Sequence, residues 1–201
     1  SSSASYLNWV NSIGFALIDF IELEINGNLV DKHTGLWLDV WNELSDKSRK
    51  EWDMVKKYDN RKNLKFVNYE KTTIRIPFKF FFCVSTSQAL PITLLNSNAV
   101  RVTIRFNGLN KLVNCSDTLN SDETSGGSVL NVKLFGEFIN LQQEEINTMT
   151  SSENKFTVPT LQYLDNVGSG SDSTFNVSSG SLTLTGAIKE LIWVFRHNSR
   201  I

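Results

Sequence analysis

The clearest alternation of apolar and polar residues lies at residues 21–25, where three aliphatic side chains alternate with two glutamates. A period of two is typical of a β-strand with one buried face. The strand is followed by Asn26 and Gly27, and both residue types tolerate the positive φ that the two central residues of a type I′ turn require. We therefore predict a hairpin turn at Asn26-Gly27 and a return strand over residues 28–31.

After the hairpin, the spacing of the apolar residues becomes helical. The residues that follow this spacing are Leu36, Trp37, Val40, Trp41 and Leu44. They predict an amphipathic helix of about three turns. A second short helix is predicted within the charged residues 45–60, with Ser45 or Asp46 as its N-cap. Its acidic and basic residues are interleaved, which favours a solvated helix face over a nucleic-acid-binding patch.

Most of the remaining apolar runs have the period of a strand. They are residues 6–20 with a bend at Gly14, 72–84 with Pro77 at an edge or bulge, 99–106, 129–141, 155–164, 174–185 and 188–196. About eight or nine strands with long loops and short helices predict an all-β fold, an antiparallel jelly-roll sandwich. The predicted core residues are Ile21, Leu23, Ile25, Phe78, Phe80, Val100, Val102, Ile104, Leu191 and Trp193.

The length, the net charge and the cysteines of the chain give further information on its class. The chain has 201 residues, enough for one full-sized domain, and a net charge of −1 with both signs interspersed. This balance predicts no general attraction to nucleic acid or to an anionic membrane surface. No apolar run approaches the roughly 18 residues of a membrane span. The two cysteines, Cys83 and Cys115, do not suggest a disulfide framework or a metal site.

The residue types that carry catalysis are sparse. His33 and His197 are far apart in sequence, and we interpret His33 as a capping or surface residue in the turn between the hairpin and the helix. No catalytic or phosphate-binding motif is present, so we predict no enzyme, no cofactor and no metal site. Asn114 and Asn176 begin glycosylation sequons, which we interpret as chance matches.

Four stretches, in this order, carry a resemblance to a known family: NSIGFALIDFIELEINGNLVDKHTGLWLDVWNEL, IPFKFFFCVSTSQALPITLLNSNAVRVTIRF, LFGEFINLQQEEI and KELIWVFR. Together they resemble the major capsid proteins of nucleocytoplasmic large DNA viruses of the iridovirus, phycodnavirus and mimivirus type, which are built from two jelly rolls. Members of the family have a second glycine where this chain has Asn26. That difference leaves the geometry of the turn intact.

The resemblance implies that residues 1–201 are a single, incomplete jelly-roll domain, with the second jelly roll absent from this chain. It also implies a structural protein of the virion, assembled in the host cytoplasm, whose homotrimers form pseudo-hexagonal capsomers of an icosahedral shell. The implied partners are neighbouring capsomers and minor capsid proteins, with an inner viral membrane contacted only indirectly and nucleic acid not contacted directly. A carbohydrate- or receptor-binding jelly-roll module is the alternative, and a hydrolase on a β-sandwich is a weaker one because no catalytic constellation is present.

Overall fold

The computed structural model describes residues 7–58, 73–95, 99–115, 131–151, 157–163, 169–171, 174–176 and 185–194. The chain divides into two compact units, Ser1–Thr160 and Leu161–Ile201. The strands are β1 Leu7–Trp9, β2 Ile18–Ile25, β3 Asn28–Thr34, β4 Val100–Phe106, β5 Val113–Cys115, β6 Ser169–Ser171 and β7 Thr174–Asn176. The α-helices are α1 Ile13–Ala16, α2 Gly35–Ser45, α3 Trp52–Val55 and α4 Gln143–Ser151. Short 3₁₀ helices lie at Phe81–Cys83, Thr86–Gln88, Ile92–Leu94 and Leu109–Lys111.

The described strands form three antiparallel sheets. The largest has the strand order β3-β2-β4, and β1-β5 and β6-β7 are two-stranded. Antiparallel sheets with short helices make the fold β-rich, in agreement with the predicted class. The predicted strand at residues 99–106 is confirmed by β4, and its Arg101 and Arg105 face solvent as alternation requires.

The hairpin of β2 and β3 contains a β-bulge near its turn. Glu24 pairs with Leu29, whereas Leu23 pairs with Asp31, so Val30 is an extra residue on β3. Side chains alternate along a strand, and one extra residue therefore exchanges the faces of everything beyond it. As a result, Asp31 points into the core.

The predicted strand over residues 6–20 is wrong in its middle. β1 ends at Trp9 and β2 begins at Ile18, and α1 lies between them. The chain turns at Ser12, which has a φ of 55° and whose carbonyl accepts hydrogen bonds from the amides of the first helical turn. A Cβ added at Gly14 would lie 3.0 Å from the Cα of Val55, so this glycine allows α1 to pack closely on α3.

Helix α2 agrees with its sequence prediction, and its start is fixed by two adjacent residues. Thr34 Oγ1 accepts a hydrogen bond of 3.2 Å from the amide of Trp37 and so caps the helix. A Cβ at Gly35 would overlap the backbone carbonyl oxygens of Phe15 and Ile18. The glycine therefore lets the helix begin directly against the junction between α1 and β2.

The second predicted helix is much shorter than residues 45–60. In the described residues it is reduced to α3, because Asp46 organises the preceding residues as a turn. The Asp46 carboxylate accepts hydrogen bonds from the amides of Lys50 and Glu51 at 3.2 and 2.8 Å. This local bonding competes with helix formation, as aspartate often does.

The predicted strand over residues 72–84 is also wrong for the part that the structure describes. Residues 73–82, here called the strap, run across the core without joining a ladder, and a 3₁₀ helix begins at Phe81. Phe80 and Phe81 are both buried although they are adjacent. Such burial does not fit a strand, whose neighbouring side chains point to opposite faces. Pro77 also lacks the N–H group that a ladder needs.

The core lies between the inner face of the large sheet, the helices and the strap. Its buried residues are Phe15, Ile18, Ile21, Leu23, Leu38, Val55, Phe80 and Phe81. Eight of the ten predicted core residues belong to this cluster or pack against it. The other two predictions are wrong, since Leu191 and Trp193 are 55% and 61% exposed.

The predicted strands at 129–141 and 188–196 are not found in their described parts. Residues 131–141 and 185–194 are irregular, and their apolar side chains are largely exposed. The described residues of the predicted strand at 155–164 are likewise outside any ladder. In the second unit, β6 and β7 form a small hairpin. The side chain of Gln162 bonds the backbone of Thr185 there.

Candidate functional site

The most unusual feature of the core is a pair of polar side chains on the inner face of β3. His33 Nε2 lies 3.0 Å from Asp31 Oδ2, and the two side chains are only 5% and 3% exposed. The other oxygen of Asp31 accepts the amide hydrogen of Lys32 at 2.9 Å. The interpretation of His33 as a capping or surface residue is therefore wrong. The physical reason is the bulge at Val30, which turns both side chains inward.

The imidazole ring of His33 packs against the strap. It stacks on the ring of Phe80 with centroids 4.9 Å apart and an angle of 23° between the planes. Phe78 meets Phe80 edge-on and Phe82 stacks on it, both at 5.9 Å. One face of the imidazole is thus covered by Phe80, and two further aromatic rings pack on Phe80 in the offset and edge-on contacts that such rings prefer.

A second polar contact fastens the strap to the residues between α2 and α3. Lys79 Nζ lies 2.6 and 2.7 Å from the two carboxylate oxygens of Glu51. Glu51 also accepts a hydrogen bond of 2.7 Å from the side-chain amide of Asn42, which is fully buried in α2. Two neighbouring strap residues are therefore held in different ways, Lys79 by an ion pair and Phe80 by the packing of its ring.

Lys57 joins the end of α3 to the polar face of α2. Its Nζ lies 2.8 Å from Asp39 Oδ1 and 2.6 Å from Glu43 Oε1, and its side chain is 5% exposed. Burial alone would lower the pKa of Lys57, but the hydrogen bonds and charges of the two carboxylates outweigh it and raise the pKa. Nearby, the amide of Glu51 holds the pKa of the Asp46 carboxyl below its usual value.

The outer face of the large sheet is charged but balanced. Its cross-strand ion pairs are Lys32–Glu22 at 2.8 Å, Arg101–Glu24 at 3.3 Å and Arg105–Asp19 at 3.2 Å. Between them lies Phe20, with the ammonium group of Lys32 4.0 Å from its ring centroid. The large sheet therefore carries one hydrogen-bonded polar pair on its inner face and three ion pairs on its outer face.

The residues singled out in the sequence lie in separate places. Asn26 and Gly27 join β2 to β3 with φ angles of 51° and 79°. Asn114 is exposed in β5, opposite Asn8 of β1, and Asn176 lies in β7 of the second unit. The structure brings none of these together into one site.

Sequence reasoning missed the buried pair and the close approach of Gly35. The spacing of Asp31 and His33 by two residues places them on the same face of a strand, and this signal was available. Only the bulge decides that the shared face is the inner one. Within the described ranges, no group of three histidine, cysteine, aspartate or glutamate side chains could hold a metal ion. In the same ranges, the helices are too short or too polar to cross a membrane.

The described part of the chain thus combines a sheet with one apolar face, helices packed on it, and polar side chains that fasten one segment to another. Residues 1–142 match the family model described as the N-terminus of the major capsid protein. Because this match covers more than half of the chain, the chain belongs to that family.

Curated relatives agree with the assignment. The major capsid protein of Phaeocystis pouchetii virus is 24% identical, and the alignment covers 100% of this chain and 44% of that protein. Capsid protein 1 of Acanthamoeba polyphaga mimivirus is 26% identical, with 92% of this chain and 33% of that protein covered. The major capsid protein of Pyramimonas orientalis virus is 28% identical, with 90% and 43% covered.

The resemblance to major capsid proteins of nucleocytoplasmic large DNA viruses, which the four ordered stretches indicated, is thereby confirmed. These relatives support a structural role in a capsid. The chain spans between a third and just under half of the length of the relatives that it matches.

Proposed function

We propose that this chain is the first jelly roll of a major capsid protein whose trimers form the pseudo-hexagonal capsomers of an icosahedral shell. The role is structural and not enzymatic. The observation that carries the proposal is the family match over residues 1–142, because the two largest sequence stretches that resemble the family lie within it. Jelly-roll connectivity, a single domain over residues 1–201 and a second jelly roll outside the chain are parts of this proposal.

The exposed apolar side chains in residues 131–141 and 185–194 support an assembled state. Phe135 is 86% exposed and Phe138 is 75% exposed, and further aliphatic side chains of the same segment are more than half exposed. Clusters of exposed apolar side chains mark protein interaction sites in soluble proteins. We infer that each of the two segments is covered in the capsomer, either by the rest of the same subunit or by its neighbours in the trimer.

The partners that follow are the two other subunits of a homotrimer, neighbouring capsomers and minor capsid proteins. Contact with an inner viral membrane is indirect, and nucleic acid is not a partner. The protein functions in the virion after assembly in the host cytoplasm. The net charge of −1 supports a shell protein over a packaging protein, since it provides no electrostatic attraction to phosphate groups.

Native mass spectrometry of the complete reading frame that contains this chain tests the proposal. The expected result is a trimer at low micromolar concentration. Replacing Phe135 with Ser is expected to weaken the trimer, whereas Asn131→Ser on the same segment serves as the matched control and leaves it unchanged. A stable monomer of that reading frame, together with binding on a glycan array, would instead favour the carbohydrate-binding alternative.

A further inference from the structure

The bulge in β3 determines which side chains enter the core. The tight turn fixes the pairs Ile25 with Asn28 and Glu24 with Leu29. A regular ladder continuing from there would place Val30 opposite Leu23, on the inner face. It would also place Lys32 opposite Ile21 and turn Asp31 and His33 to solvent. The extra residue reverses this arrangement.

The reversal turns Lys32 to solvent and brings Asp31 and His33 into the core, while Val30 stays packed against the core cluster. Burying polar groups costs free energy unless they are hydrogen-bonded. Here Asp31 bonds both His33 and the amide of Lys32, and the imidazole has the ring of Phe80 on its face. Bulges often re-aim a side chain for a specific task. The task that the contacts indicate is holding the strap.

We propose that Asp31 and His33 are positioning residues that form a seat for the strap. Asp31 fixes the orientation of the imidazole, and the imidazole holds Phe80. The inference concerns the internal organisation of the chain and does not depend on the proposed capsomer.

The strap is held by apolar packing and by a small set of polar contacts. Its apolar side chains pack on the core cluster, and besides the seat the described polar contacts to other segments include the hydrogen bond from the amide of Arg75 to the carbonyl of Met54 at 2.9 Å and the ion pair of Lys79 with Glu51. The ladder of β3, β2 and β4 uses no strap residue. Because the strap contributes no pair to the ladder, we expect it to open as a unit while the ladder stays paired, which is the behaviour of a local opening unit.

Hydrogen exchange of the 201-residue chain, read by mass spectrometry, tests the seat. The reporters are the amide of Arg75 in the strap, the amide of Cys83, which donates to the Phe80 carbonyl at the end of the strap, and the amides of β2 and β4 for the ladder. In the H33L variant the strap amides are expected to exchange about tenfold faster with the ladder unchanged. The E22Q variant is the matched control, because it alters an ion pair of the same two strands on the outer face and should change neither set.

A double-mutant cycle separates positioning from general stabilisation. If Asp31 acts through His33, then D31L speeds strap exchange on its own but adds nothing in the H33L background. Equal acceleration of strap and ladder would overturn the proposal, as would unchanged strap exchange in H33L. Should the variants fail to fold, exchange in the unaltered chain still tests the premise: strap amides that open only together with ladder amides would show that the strap is not a separate unit, and the proposal would fail.

Discussion

Residues 18–25 and residues 131–141 both carry apolar side chains at strand-like spacing, but only the first segment is a paired strand. β2 has β3 on one side and β4 on the other, and its inner side chains are buried. In residues 131–141 the apolar side chains are exposed, and no ladder is formed in the described structure. The difference shows that the alternation of apolar residues determines which face of a strand is buried. Whether the strand pairs at all depends on a second strand close enough to form hydrogen bonds with it.

The two regions differ in how far along the chain a pairing strand lies. β2 meets β3 through a turn of two residues, so little chain entropy is lost when the pair closes. The helix that follows is then anchored through Gly35 against residues that precede the hairpin. Within the described ranges, no strand adjoins residues 131–141 through a comparably short turn. We expect substitutions in the first region to change stability and equivalent substitutions in the second to leave it nearly unaltered.

The largest contrast is expected between two phenylalanines. Phe80 is fully buried, so Phe80→Ala should lower the free energy of unfolding by about 3–5 kcal/mol through lost contacts and a cavity. Phe135→Ala should change it by less than about 0.5 kcal/mol, since that ring is exposed. Urea unfolding followed by tryptophan fluorescence measures both. Equal losses would mean that residues 131–141 are packed in solution.

Two glycines give the next contrast. A Cβ at Gly35 meets backbone oxygens that cannot move alone, so Gly35→Ala should cost about 1–3 kcal/mol or more. A Cβ at Gly136 would lie 3.1 Å from the ring of Phe138, which can rotate away. Gly136→Ala is the control, with an expected change within about 0.5 kcal/mol. Thermal unfolding monitored by circular dichroism compares the two, and a neutral Gly35→Ala would contradict the close approach.

A third contrast is expected between two glycines that have positive φ angles. Gly27 and Gly186 have φ angles of 79° and 86°, and a Cβ at either would meet no atom within 4 Å. Gly27→Val should destabilise the hairpin by about 1 kcal/mol or more, because a β-branched residue is strained there. Gly186→Val carries similar local strain but should leave the urea midpoint of the first unit unchanged. Gly27→Asn should cost much less stability than Gly27→Val, because asparagine tolerates positive φ better.

The smallest effect is expected from the pH dependence of the Lys57 contacts. The pKa of Lys57 is raised above its ordinary value of 10.5, so its contribution is complete below that pH and is lost as the pH rises through the folded-state value. Stability measured between pH 9 and 11.5 should therefore fall by less than about 1 kcal/mol. Lys57→Met should flatten this fall, whereas the neighbouring Lys56→Met should not. An identical pH profile in wild type and Lys57→Met would refute the assignment.

Features set by neighbouring residues could be predicted from the sequence. The return strand after Asn26 and Gly27, the helix spacing from Leu36 onwards and the alternation from Val100 depend on local conformational preferences. Most of the predicted core residues follow from these elements, because the face of a strand determines its burial.

Features set by distant contacts could not be predicted. The bulge at Val30 leaves no signal in the composition of β3, yet it decides that His33 is buried. The strap has the alternation of a strand, but its packing across the core and its proline prevent a ladder. The need for glycine at position 35 appears only once the carbonyl groups before the hairpin are in place.

The balanced outer face of the large sheet affects how that surface responds to ions in solution. Three acidic and three basic side chains face one another there at 2.8–3.3 Å. These six charges sum to zero, so the fields of the pairs largely cancel at a distance, and salt at physiological ionic strength screens what remains over roughly 8 Å. Changes in salt concentration then have little effect on what approaches this face. Any partner that docks on it is selected by shape and short-range hydrogen bonding, and the rate of encounter is that of unsteered diffusion.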